Sequence, residues 1–233
     1  VTDLDRFYVA LGRLAALPGQ GRPLHTHTGR FPWPARGVYF FQEPGERRAQ
    51  EDVPRIVRVG THALTAGSKS HLWGRLRAHR GSVDGRGNHR GSIFRLHVGA
   101  AMLRRDGAAA RFNTWGVGQS APRAVRDSEV AHEKRVSAHI GQMPVLWVDV
   151  PDDPGPQSAR GYLERNAIAL LSNMLNPADP PSAAWLGRQS SRQEIRDSGL
   201  WNLNHVREAY EPRFLDHLEE LVDQMRERSL RLP

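Results

Sequence analysis

Between residues 36 and 79 two short β-type runs and one helical run follow each other closely, and this stretch limits the fold more than any other. The first run, Gly37-Val-Tyr-Phe-Phe41, is apolar throughout. The second, Arg55-Ile-Val-Arg-Val-Gly-Thr61, sets Ile56, Arg58 and Gly60 against Val57 and Val59, a period of two that predicts a strand. The third, Ser70-His-Leu-Trp-Gly-Arg-Leu-Arg-Ala-His79, puts Leu72 and Leu76 on one helical face and Arg75 and His79 on another. Ser68 or Ser70 can cap it. Residues 43–54 are charged and hold two prolines, so they read as a loop joining an antiparallel pair. An Arg and a His one helical turn apart can both reach a single phosphate from one rigid element.

The rest of the chain is read around this unit. Leu4, Phe7, Tyr8, Leu11 and Leu14 predict an amphipathic helix over residues 3–16, ended by Pro18, Gly19 and Gly21. His25 and His27 lack a nearby carboxylate and read as loop residues, not as metal ligands. Residues 92–103 and 127–139 predict helices, and Gly141 stops the second. Residues 143–150 predict a third strand. Residues 159–173 predict a strong helix carrying one carboxylate, Glu164, and three prolines follow Asn176. Residues 182–205 are polar, with scattered Trp and Leu and no period. Residues 211–227 predict a last amphipathic helix, and 228–233 a frayed tail. The expected organisation is a single domain over 1–233. It comprises an N-terminal helical segment (1–30), a core (36–82 and 143–177), an insertion (85–140) and a C-terminal helical extension (182–233).

Charge narrows the partners. Residues 1–120 hold 19 basic and 8 acidic side chains, whereas residues 121–233 hold 14 and 17. Ten basic residues fall between Lys69 and Arg111, against Asp84 and Asp106. Such a block suits a polyanion, because each neutralised phosphate releases counterions. Lys69, Arg77, Arg80, Arg86, His89 and Arg90 are the expected nucleic-acid contacts, the last three from the Gly-rich loop 81–91. Phe112 and Trp115 among arginines can stack on bases, although a loop Trp more often anchors to a core. Zero cysteine excludes disulfides and thiolate metal sites. No apolar run reaches the ~20 residues of a membrane span. The first 18 residues lack signal-peptide order, so the expected location is cytoplasmic, at the nucleoid.

The ordered set Gly37-Val-Tyr39, Arg58-Val-Gly60, Arg75, His79, Glu164 and Asn176 resembles the GIY-YIG nuclease superfamily. Gly37-Val-Tyr39 matches the first half-motif. The second half is degenerate, with Arg58 where the family carries a tyrosine that is a candidate general base. Glu164 and Asn176 stand twelve residues apart, a spacing similar to that in repair nucleases and some restriction enzymes of the family. The resemblance implies an α+β fold: a three-stranded antiparallel sheet flanked by helices, with a large helical insertion and helical N- and C-terminal additions. It also implies hydrolysis of a nucleic-acid phosphodiester with one Mg²⁺ or Mn²⁺ held by Glu164. Arg75 would neutralise charge on the phosphoryl oxygens. Tyr39 or His79 would take the base role, with Arg58 lowering its pKa, and Asn176 would fix local geometry. His62 is a further substitute for the base, although a loop role suits it better.

Three functions follow from this resemblance. The first is a metal-dependent DNA endonuclease of restriction or genome-defence type, with a possible homodimer on a duplex target. The second is a repair or recombination nickase. The third, supported by Arg58, is a nucleic-acid-binding module with a decayed site. DNA is the expected partner, with RNA as the alternative.

Overall fold

A computed structural model describes residues 1–48 and 52–231. The helices are α1 (Asp3–Ala15), α2 (Leu72–Arg80), α3 (Ile93–Arg105), α4 (Arg123–Gln142), α5 (Ala159–Leu171), α6 (Gln193–Ser198) and α7 (Phe214–Leu230). The strands are β1 (Arg22–Pro23), β2 (Gly37–Arg47), β3 (Pro54–Gly60) and β4 (Pro144–Asp149), in sheet order β1-β4-β2-β3 with every pair antiparallel. The three expected strands are joined by β1, a two-residue bridge on β4 too short to leave a pattern in sequence. The fold is α+β, with helices on both faces of the sheet.

Alternation in β2 sorts the core. Val38 and Phe40 face α1, α5 and α7, while Tyr39 and Phe41 face α2, α3 and α4. Leu146 and Val148 of β4 join the first cluster, and Val145 and Trp147 the second. All four aromatic and aliphatic side chains of 38–41 are buried, each contributing about 1.5–3 kcal/mol by removal from water.

β3 departs from the simple alternation. Phe41 pairs with Arg58 but Gln42 pairs with Ile56, so Val57 is the extra residue of a bulge. Ile56 and Val59 therefore share the first cluster and Val57 joins the second, correcting the expected set of Ile56, Arg58 and Gly60. β2 also runs on to Arg47, through part of the expected loop; residues 49–51 of that loop lie outside the described residues. The helix expected over 211–227 runs three residues further, to Leu230, into the expected tail, of which 232–233 lie outside the described residues. α6 appears in the stretch with no readable period.

β3 is an edge strand, and the C-terminal extension covers it. The Trp201 N–H donates to the Val57 carbonyl (2.7 Å). The Asn202 side chain accepts from Val59 N–H (3.1 Å) and donates to Val59 C=O (2.9 Å). The open ladder groups of the edge are thus satisfied without a further strand. The Glu43 carboxylate anchors the same segment, accepting from the indoles of Trp185 (2.9 Å) and Trp201 (3.0 Å). Among the described residues no helix is long and apolar enough to cross a membrane.

Candidate active site

The end of β3 is fixed by close approaches that only glycine allows. Tyr39 pairs with Gly60 across the sheet, and a Cβ on Gly60 would lie 2.2 Å from the Tyr39 hydroxyl oxygen. A Cβ on Gly37 would lie 2.4 Å from the Val148 carbonyl oxygen. Next to Gly60, the Thr61 hydroxyl donates to Gly37 C=O (2.9 Å) and the Thr61 N–H donates to Glu164 Oε1 (3.0 Å). The glycine ends of β2 and β3 and the α5 carboxylate therefore meet at one place.

That place is a cleft of about 470 Å³. Arg58 from β3, Arg75 from α2 and Glu164 from α5 line it, with Thr61, His62 and the segment 202–205. Arg58 is buried, donates to Trp201 C=O (2.7 Å) and lies over the Phe94 ring. Its Nε has no hydrogen-bond partner among the described residues although it is buried. Burial pushes the Glu164 carboxyl above its ordinary range, against the pull of Arg58 and the Thr61 N–H. Among the described residues Glu164 Oε2 accepts no hydrogen bond.

Tyr39 and His79 do not line the cleft. Both are fully buried, and the Tyr39 hydroxyl is 2.8 Å from His79 Nε2. His79 Nδ1 is in turn 2.8 Å from the hydroxyl of Ser92, the N-cap of α3. Burial first, then Arg58, Arg75 and Arg95, holds His79 well below the ordinary histidine range, so the ring is neutral. His62 does line the cleft. Its Nδ1 faces Ser70 C=O (3.1 Å), which only accepts, so the proton sits on Nδ1.

Asn176 is not brought to the site. It is exposed and lines a separate hollow with Thr2, Asp3 and Tyr210. From Glu164 to the end of α5 at Leu171 the helix rises about 10 Å, and the chain then turns away. The amide side chains that line the cleft are those of Asn202 and Asn204 instead.

The basic residues divide. Lys69, Arg77 and Arg86 are exposed. Arg80 is half-buried, donates to His27 C=O (2.6 Å) and lies over the Trp73 ring. His89 and Arg90 are corrected as nucleic-acid contacts, because their polar atoms are engaged inside the insertion. His89 is buried, bonds Glu133 (2.9 Å) and stacks on Trp115. Arg90 forks onto Glu129 at 2.6 and 2.9 Å. Trp115 donates to Leu96 C=O (3.0 Å) and so anchors its loop. His25 bonds Gly141 C=O, and among the described residues no group of three His, Asp or Glu could hold a metal ion.

The segment Asn202-Leu-Asn-His205 is the part of the site that periodicity missed. Its signal in sequence was a short cluster of side chains that can donate and accept, in a stretch without helical or strand period. In comparisons with known proteins, a family model described as GIY-YIG domain matches residues 1–228. This span reaches well beyond 36–82 and 143–177 and takes in the insertion and most of the C-terminal extension. Neither a curated protein nor a solved structure matches the chain.

Proposed function

This chain belongs to the GIY-YIG domain family, and from that premise we propose that it is a metal-dependent endonuclease that hydrolyses DNA phosphodiester bonds. The observation that carries the reading is the convergence of Arg58, Arg75 and Glu164 on one cleft at the end of β3. The donor set suits Mg²⁺ or Mn²⁺. Among the described residues Glu164 keeps one carboxylate oxygen without a hydrogen-bond partner, and such an ion needs one carboxylate and keeps most of its waters. A cation there would also offset the burial that raises the Glu164 carboxyl. When bound, the ion supplies Lewis-acid stabilisation of the phosphoryl charge.

The chain's own residues do the remaining work. Thr61 N–H orients Glu164. Arg75 and Arg58 place positive charge where the phosphoryl oxygens gain negative charge. Arg58, standing where the half-motif tyrosine would be, adds its guanidinium charge to the lining of the cleft. Lys69, Arg77 and Arg86 are exposed, Arg86 beside Asp84 (3.1 Å), and are the residues that would meet the backbone of a duplex.

Restriction or another genome-defence role is the first biological reading, and cutting both strands then requires a dimer or two binding events. Incubation of supercoiled plasmid with Mg²⁺ or Mn²⁺ separates the alternatives. Discrete linear fragments are expected for a restriction enzyme, and open circles for a repair or recombination nickase. Binding without cutting would reject the nuclease and leave the binding module, and cleavage of RNA alone would move the substrate class.

A further inference from the structure

We propose that His205 is the general base of this cleft, its Nε2 accepting the proton of the attacking water while Glu208 holds the ring. This assignment rests on the nuclease reading. The residues expected from sequence to act as base are poorly placed. Tyr39 and His79 are fully buried and bonded to each other, and the unpartnered Nε2 of His62 is buried as well. His205 lines the cleft with its side chain 33% exposed. Glu164 lines the same cleft.

The hydrogen bonds fix which ring nitrogen is available. His205 Nδ1 is 2.8 Å from Glu208 Oε1. An ionised carboxylate only accepts, so the neutral ring keeps its proton on Nδ1 and its lone pair on Nε2. Among the described residues Nε2 has no hydrogen-bond partner. Arg165 donates to Glu208 Oε2 (2.5 Å), and the bond from His205 pulls the Glu208 carboxyl below its ordinary range, so the orienting charge is held.

The backbone carries a second, independent sign. His205 has φ +64° and Ala63 φ +58°; among the described residues they are the only non-glycine positions with positive φ, and both line this cleft. Such strain persists only where the surroundings over-determine it. Here Asn202 is tied to Val59, and the Ser172 hydroxyl donates to Val206 C=O (2.5 Å).

In the step proposed, the water oxygen bonds to phosphorus and its proton passes to His205 Nε2. The bond from phosphorus to the leaving oxygen breaks, and that oxygen departs with the electron pair and takes a proton from solvent. The imidazolium returns its proton to solvent. The products are a phosphomonoester end and a hydroxyl end.

The test is plasmid cleavage by wild type, His205→Gly and Glu208→Gln, with gel-shift affinity for the same DNA. His205→Gly removes the ring and also relieves the positive φ, so the chain folds. Its cleavage rate is expected to fall about 10²–10⁴-fold, with affinity unchanged and partial recovery in added imidazole. Glu208→Gln keeps an acceptor for Nδ1–H but removes the charge; it is expected to lower the turnover rate less, leave KM unchanged and gain nothing from imidazole. A His205→Gly protein that cuts like wild type would overturn the assignment. So would a loss that imidazole does not restore, or one matched by weaker DNA binding. Wild type that never cuts would remove the nuclease reading, and this assignment with it.

Discussion

A methyl group on Gly60 would sit 2.2 Å from the hydroxyl of Tyr39, a buried group already bonded to His79. Neither ring has room to retreat, since His79 is packed edge-on against Tyr39, Phe41 and Phe94. Gly60→Ala is therefore expected to destabilise the protein by about 1–3 kcal/mol, the usual cost of overpacking a core. Urea denaturation measures it, and an unchanged midpoint would show that the contact relaxes freely. At this scale much of the site was legible. Gly37, Gly60, Arg75 and Glu164 carry residue types whose role is set by local geometry, and all four meet at the end of β3. The partners of Tyr39 and Arg58 were not legible, because His79 and Trp201 lie 40 and 143 residues further along. Asn176 was misplaced because its spacing from Glu164 crosses a helix end, where direction is decided by packing.

A buried carboxylate helps to fasten helices α3 and α4 to α2. Glu133 accepts from His89 N–H (2.7 Å) and His89 Nδ1 (2.9 Å), and from Arg95 Nε (3.2 Å). Arg95 is itself fully buried and donates to His79 C=O (2.9 Å), so the pair links the insertion to α2. Glu133→Ala strands the Arg95 charge, and a loss of about 3–5 kcal/mol is expected. Thermal melting reads it, and a loss under 1 kcal/mol would show that water reaches Arg95. The elements with a clean period, α1, α5, α7 and β4, were readable within a few residues. The bulge at Val57 was not, because it is a property of two strands in register rather than of one. β2 continues past Pro44 because that proline falls where pairing with β3 is already interrupted, between Gln42 and Arg47.

Across the whole molecule, several buried histidines set how stability follows pH. Burial holds His62 and His97 at about 4 and His79 well below its ordinary value. The unfolded chain binds a proton at each near pH 6.5, while the folded chain does not until near pH 4 for His62 and His97. Between these values the unfolded state carries more protons, so stability falls as pH drops from about 6.5 towards 4. Denaturation midpoints at pH 7, 6 and 5 are expected to decrease in that order, and His97→Gln is expected to flatten the slope. A flat profile would contradict the burial of these rings. The two-sided sheet was legible from alternation within 37–41 and from the amphipathic helices. The route of the C-terminal extension across the edge of β3 was not, since it depends on Asn202 and Trp201 finding open backbone groups more than 140 residues earlier.

Glu164 is the group on which the functional account depends most. The direct measurement is plasmid cleavage in Mg²⁺ by wild type beside Glu164→Ala, with circular dichroism and gel-shift affinity recorded for both. Wild type is expected to cut, and the variant to keep its fold and its hold on DNA but lose metal-dependent cutting. Equal cleavage by the two proteins, or DNA binding by wild type with no cleavage of any duplex, nick or branch, would contradict it.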